Sequence, residues 1–130
     1  MENRKVAIIN NNKQSIGNLE GILAAIGHDL VMIDNALLAV DIVAQTRPDV
    51  IFLELKMPRK NGFELAEEIN HVFTTKKIPI IAMSAFFKAE FGFLLNLCGI
   101  NRYLKKPFNP LDVIWAIENV TEAREIGRIK

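Results

Sequence analysis

The sequence predicts an α/β domain: a three-layer, doubly wound, parallel sheet of five strands. Three observations carry this. Five short apolar runs alternate with five segments of helical periodicity. The runs around residues 5–9, 50–55 and 79–83 are almost continuously apolar, as strands buried on both faces are. The last residues of several runs are polar, and turn residues follow them. Alternation at this spacing implies right-handed crossovers, with helices on both faces of the sheet. Five strands suit the flavodoxin-like (βα)5 order 2-1-3-4-5, in which ligands sit beyond the carboxyl ends of the strands.

Each element has a local reason. Residues 5–9 (Lys-Val-Ala-Ile-Ile) form the first strand, ending in the turn-prone Asn10-Asn11-Asn12. Ser15 is placed to cap a helix over 15–26, with Ile16, Leu19, Ile22, Leu23 and Ile26 at helical spacing and Gly27 as its stop. Residues 29–33 form the second strand. Asp34-Asn35 turns the chain into a helix over 36–46, with Leu37, Val40 and Val43 or Ala44 facing inward, until Arg47-Pro48-Asp49 breaks it. Residues 50–55 are the third strand. The loop Pro58-Arg59-Lys60-Asn61-Gly62 leads to a helix over 63–73, with Phe63, Ala66, Ile69 and Phe73 inward. Residues 79–83 are the fourth strand, ending at Ser84-Ala85. A helix over 87–97 follows, closed by Cys98-Gly99. Residues 102–105 are a short fifth strand, 106–110 a turn, and the last helix starts near Leu111 and reaches Arg124 or beyond, with a tail over 125–130 that frays.

Composition narrows the function. The 130 residues suit one domain, with a core over about 4–124. Net charge is +1, which gives no electrostatic ground for direct binding to nucleic acid or an anionic membrane. No apolar run approaches the ~20 residues that span a bilayer. The single Cys98 excludes an internal disulfide framework and suits a reducing compartment, so a cytoplasmic location is expected. A dinucleotide site needs a glycine-rich turn after the first strand, but Asn10-Asn11-Asn12-Lys13-Gln14-Ser15-Ile16-Gly17 has one late glycine. No phosphate-binding G-x-x-x-x-G-K-[ST] run exists. A nucleophilic triad fails because His28 and His71 lie away from the strand exits; both read as exposed surface residues. What does converge is Asn10-Asn11, Glu54, Ser84 and Lys106.

Taken together, those exits resemble a known family. Val6-Ala7-Ile8-Ile9-Asn10-Asn11, Leu53-Glu54-Leu55-Lys56-Met57-Pro58 with Asn61-Gly62, Ile80-Ile81-Ala82-Met83-Ser84-Ala85, and Tyr103-Leu104-Lys105-Lys106-Pro107-Phe108 look like the receiver domain of two-component response regulators. The resemblance implies roles. Asn10 and Asn11 stand where an acidic pair holds Mg2+. Glu54 stands where an aspartate accepts a phosphoryl group from a histidine kinase. Ser84 fits the hydroxyl that contacts that phosphoryl, Lys106 the lysine that pairs with it, ahead of a commonly cis Pro107, and Tyr103 the aromatic that swings with activation. Lys56 holds the position whose carbonyl helps ligate the metal.

The departures have physical consequences. An ordinary site of this family gathers carboxylates to a net charge of about −2 and needs a divalent cation. Here the Glu54 and Lys106 charges cancel, and Asn10 and Asn11 offer only neutral oxygens. Mg2+ binding is therefore expected to be weak or absent, and with it the electrostatic stabilisation on which phosphoryl transfer depends. The extra methylene of Glu54 moves its carboxylate by roughly 1.5 Å, and an ångström of misplacement can cost ~100-fold in rate. The same extension lets Glu54 reach Lys106 and Ser84. It then either imitates a phosphoryl group or simply satisfies Lys106 as a buried ion pair.

A second signal lies in the fourth helix. Phe87, Phe91, Leu94 or Leu95, and Cys98 form its inward stripe, leaving Phe86, Phe93 and Leu97 as a second one. A surface helix normally carries one apolar stripe, so the second is either a partner surface or covered by a neighbouring element. The resemblance points to the fourth helix, fifth strand and fifth helix as the face for protein partners or a homodimer. The expectation is a non-catalytic signalling module, degenerate and not phosphorylated, acting through protein contacts. The alternatives are a phosphoacceptor using Glu54 with weak autophosphatase activity, or a dimerisation module for an effector domain beyond residue 130.

Overall fold

The computed structural model describes residues 3–72, 74–75, 77–85, 88 and 90–129, and the side chains among these except those of 13, 15 and 123–129. Five parallel strands, β1 (Lys5–Ile9), β2 (Asp29–Ile33), β3 (Val50–Glu54), β4 (Ile80–Ser84) and β5 (Arg102–Lys105), form one sheet in the order β2-β1-β3-β4-β5. This is the predicted topology. The helices are α1 (Leu19–Ile26), α2 (Ala39–Thr46), α3 (Gly62–His71), α4 (Phe91–Leu97) and α5 (Pro110–Ile129).

Side-chain alternation divides the core. Val6 and Ile8 of β1, Val50 and Phe52 of β3 and Ile81 and Met83 of β4 pack against Leu19 and Leu23 of α1 and Val113, Ala116 and Ile117 of α5. Ala7, Ile9, Ile51, Leu53, Ile80 and Ala82 pack on the other face, against Val43 of α2, Leu65 and Ile69 of α3 and Leu95 of α4. The period of two sends neighbours to opposite faces, so the strands had to be apolar throughout. Phe108, expected in a turn, also inserts into the α1–α5 side.

Several helix starts differ from expectation. The first helix does not run from Ser15. A 3-10 turn over Lys13–Ile16 is capped by the Asn12 side chain, Gly17 adopts φ 57°, and α1 begins only at Leu19. The side chain of Ser15 lies outside the described residues. Likewise the second helix opens with a 3-10 turn, Ala36–Leu38, capped by Asn35. Its three-residue period shifts the phase, so Leu37 is 55% exposed rather than inward. α2 ends at Arg47, in the left-handed conformation (φ 48°) just before Pro48. α4 starts at Phe91 and places Leu95, not Leu94, in the core. Phe73, Phe86 and Phe87 lie outside the described residues. The backbone of α5 is helical to Ile129.

His28 is a correction of another kind. It is 6% exposed, not a surface residue. Its Nδ1 accepts the Arg4 backbone N–H at 3.0 Å, while Nε2 is buried without a hydrogen-bond partner. Burial, then the Arg4 charge, lower its pKa from 6.5, opposed by Glu118, Asp29 and Asp49. The neutral ring is thus favoured when folded, and the unfolded chain binds the extra proton. Stability is expected to be full above pH 6.5 and to fall as pH drops below it, by at most about 1.4 kcal/mol per pH unit. Urea titrations at several pH values should show this slope, and His28→Gln should flatten it.

Candidate functional site

The carboxyl ends of β1, β3, β4 and β5 surround a cleft of about 570 Å3 lined by Asn11, Asn12, Glu54, Lys56, Met57, Pro58, Ser84, Ala85 and Lys106. Glu54 closes β3 and is 5% exposed. Its backbone is pinned by α3. A Cβ on Gly62 would stand 2.5 Å from the Glu54 carbonyl oxygen and 2.7 Å from Leu55 Cα, so only glycine lets the helix abut the strand so closely. The Gly62 N–H donates to the Leu55 carbonyl at 2.9 Å, and the Asn61 side chain caps α3 by accepting the Glu64 N–H. The acid at the strand exit is therefore rigidly placed.

Its carboxylate is engaged. Lys106 Nζ donates to Glu54 Oε1 in an ion pair whose side chains are largely buried. Lys106 follows β5 and precedes a cis peptide bond to Pro107. Its backbone N–H donates to the Ser84 carbonyl at 2.8 Å. The Tyr103 hydroxyl donates to that same carbonyl at 3.3 Å, and the ring is half-buried against the α3–α4 side of the core. Burial raises the Tyr103 pKa, a hydrogen bond with the Ser84 side chain opposes this, and the Glu54 charge adds to the rise. Glu54, Lys106, Ser84 and Tyr103 thus form one connected set.

The asparagines divide differently than expected. Asn10 is buried and absent from the cleft wall. Its Oδ1 accepts the Asn12 N–H at 3.0 Å and its Nδ2 donates to the Asn12 carbonyl at 2.9 Å, which folds the loop back on itself. Asn11 is exposed and does line the cleft, as does Asn12. Asn12 also caps the 3-10 turn by accepting the Gln14 N–H. The donor set suits a hard divalent cation poorly: one carboxylate, already opposite an ammonium, and neutral amides, of which that of Asn10 is bonded to the loop backbone. Among the described residues no group of three or more His, Cys, Asp or Glu stands close enough to hold a metal ion.

On α4, Phe93 is 69% and Leu97 64% exposed. Phe86 lies outside the described residues. Two residues of α5 were missed by the sequence reading. Leu111 and Trp115 are similarly exposed and one helical turn apart. Val113, Ala116, Ile117 and Val120 take the inward stripe, and marking that stripe on the sequence would have left Leu111 and Trp115 outside it. Trp115, Phe108 and Asp112 border a groove of about 350 Å3 along β5.

The five-stranded doubly wound sheet thus brings an acid, a hydroxyl residue and a lysine together at adjoining strand exits. The response regulator receiver domain family matches residues 6–118, and the chain belongs to that family. It is 30% identical to the protein PilG of Pseudomonas aeruginosa over 118 residues, 88% of this chain and 84% of PilG. It is 35% identical to the transcriptional regulatory protein PdtaR of Mycobacterium tuberculosis over 94 residues, 71% of this chain but 44% of PdtaR's length. Among solved structures, the chemotaxis protein CheY4 of Vibrio cholerae superposes with TM-score 0.84 at 22% identity, covering 92% of this chain and 99% of CheY4. The receiver domain of the sensor histidine kinase PA1611 of Pseudomonas aeruginosa, which has magnesium coordinated in its active-site cleft, gives 0.83 at 21%, covering 93% and 99%. Receiver domains are signalling modules that work with other proteins, histidine kinases among them. Among the described residues no helix is long and apolar enough to cross a membrane.

Proposed function

We propose that this receiver domain transmits a signal without being phosphorylated and without Mg2+, its state set from within by Glu54. The Glu54–Lys106 ion pair carries the reading. The lysine that would pair with a phosphoryl group is already answered by a carboxylate. Tyr103 is held inward through Ser84, the residue whose carbonyl Lys106 also engages. Glu54 is thereby read as a fixed imitation of the phosphorylated state rather than an acceptor of it. Asn10 and Asn11 fit the same reading, since neutral amides supply no charge to recruit a metal or to stabilise transfer.

The output is contact with a protein partner through the α4–β5–α5 face. Phe93 and Leu97 on α4 and Leu111 and Trp115 on α5 supply exposed apolar anchors, with β5 at the free edge of the sheet between them. Phe93→Asp with Leu97→Asp is expected to weaken self-association, or binding to a cognate partner, by about 100-fold or more, while the circular dichroism and melting of the monomer stay unchanged. Sedimentation equilibrium and partner titration check it. Unchanged association with an intact fold removes α4 from the interface.

A further inference from the structure

Beside the Glu54 cleft lies a second one that the reading above leaves without a role. It has a volume of about 540 Å3 and opens between the β3–α3 loop, the start of α3 and the start of α4. Leu55, Met57, Phe63 and Phe91 give it apolar walls, and the Phe63 and Phe91 rings meet edge to face with centroids 5.5 Å apart. Lys56 and Lys88 stand at its rim, joined by Asn61 and Ser84. Among the described residues no carboxylate lines it and neither ammonium has an ion-pair partner. Lys56, Met57 and Ser84 line both clefts, so the two are adjoining chambers. Around the pair, Lys56, Lys88 and Lys106 face Glu54 as the single acid. Charge complementarity then selects an anion, and the apolar walls select one with a ring or short hydrocarbon body.

We infer that this cleft binds a small amphiphilic anion, its phosphonate, phosphate or carboxylate head between Lys56 and Lys88 and its aromatic or aliphatic body against Phe63, Phe91 and Met57. A fully hydrated inorganic anion gains only the two exposed ammoniums, whereas the body adds burial of apolar surface on a preformed wall. Binding touches Ser84, whose carbonyl holds Tyr103. A regulatory effect rests on the switch reading given above; binding itself does not.

Phenylphosphonate is the probe, because it carries ring and charge but cannot transfer a phosphoryl group. In two-dimensional amide NMR titrations of the full chain without metal, it is expected to shift Lys56, Phe63, Ser84 and Phe91 saturably. Its affinity should exceed that of inorganic phosphate by about tenfold or more. Lys88→Gln and Lys56→Gln, both exposed and harmless to the fold, should each weaken it by about three- to tenfold. Phosphate binding as tightly as phenylphosphonate overturns the apolar half of the proposal. Unchanged affinity in both lysine variants, or no saturable shift at these residues, overturns the site. None of these outcomes bears on whether Glu54 is phosphorylated, so failure here is distinguishable from failure of that reading.

Discussion

Replacing Glu54 with Leu is expected to lower the stability of the chain by about 3 kcal/mol, and adding Lys106→Met should restore most of that loss. The carboxylate and the ammonium sit at the ends of β3 and β5, with side chains 6% and 13% exposed. Removing the acid leaves an ammonium beside buried strands with nothing opposite it. Losing one member of a buried pair costs about 3–5 kcal/mol, and the low end applies because the cleft lets the long lysine stem reach toward water. Removing both charges eliminates the unpaired group, and apolar replacements of similar volume can be neutral or better. Urea unfolding of the two single variants and the double variant gives the coupling directly. Additive losses would show that the pair is not energetically coupled.

The second large effect is a gain. The combined change Asn10→Asp, Asn11→Asp and Glu54→Asp is expected to convert the chain into a magnesium-dependent phosphoacceptor. Ser84 and Lys106 are already in place, and the backbone of the acid is held by Gly62. The first two changes supply anionic oxygens for a hard cation. Asn10→Asp keeps an oxygen able to accept the Asn12 N–H, so the loop retains half of its internal bonding. The third change withdraws the carboxylate by roughly one C–C bond, a displacement worth ~100-fold in rate where positioning and electrostatics dominate. Acetyl phosphate with Mg2+ should then add one phosphoryl group to the triple variant, removable with hydroxylamine. Glu54→Asp alone should gain far less, because the metal still lacks its ligands.

Much of this was legible in the sequence because the physics is local. Unbroken apolar runs such as Val50-Ile51-Phe52-Leu53 have no alternative to double burial, so the sheet and its strand order followed. The strand exits placed Glu54, Ser84 and Lys106 together for the same reason. Helix starts were less legible. Ser15 and Ala36 were read as opening α-helices, but the Asn12 and Asn35 side chains accept the N–H groups two residues on, of Gln14 and Leu37, and start 3-10 turns instead. That competition between side chain and backbone is settled by tertiary contacts. The inward turn of Asn10 and the burial of His28 were illegible for other reasons. Nothing in Asn10-Asn11-Asn12 tells which amide turns inward, and the burial of His28 depends on Arg4 and on neighbours distant in sequence, such as Glu118. Trp115 was missed because the last helix was read by its bounds alone; its inward stripe, Val113, Ala116, Ile117 and Val120, leaves Leu111 and Trp115 outside.

The central claim is that Glu54 is a setting and not an acceptor. The most direct measurement is the intact mass of the unaltered chain after incubation with acetyl phosphate and Mg2+. The account predicts no phosphoryl adduct under conditions that load the triple variant. A stable adduct mapped to Glu54 would contradict it.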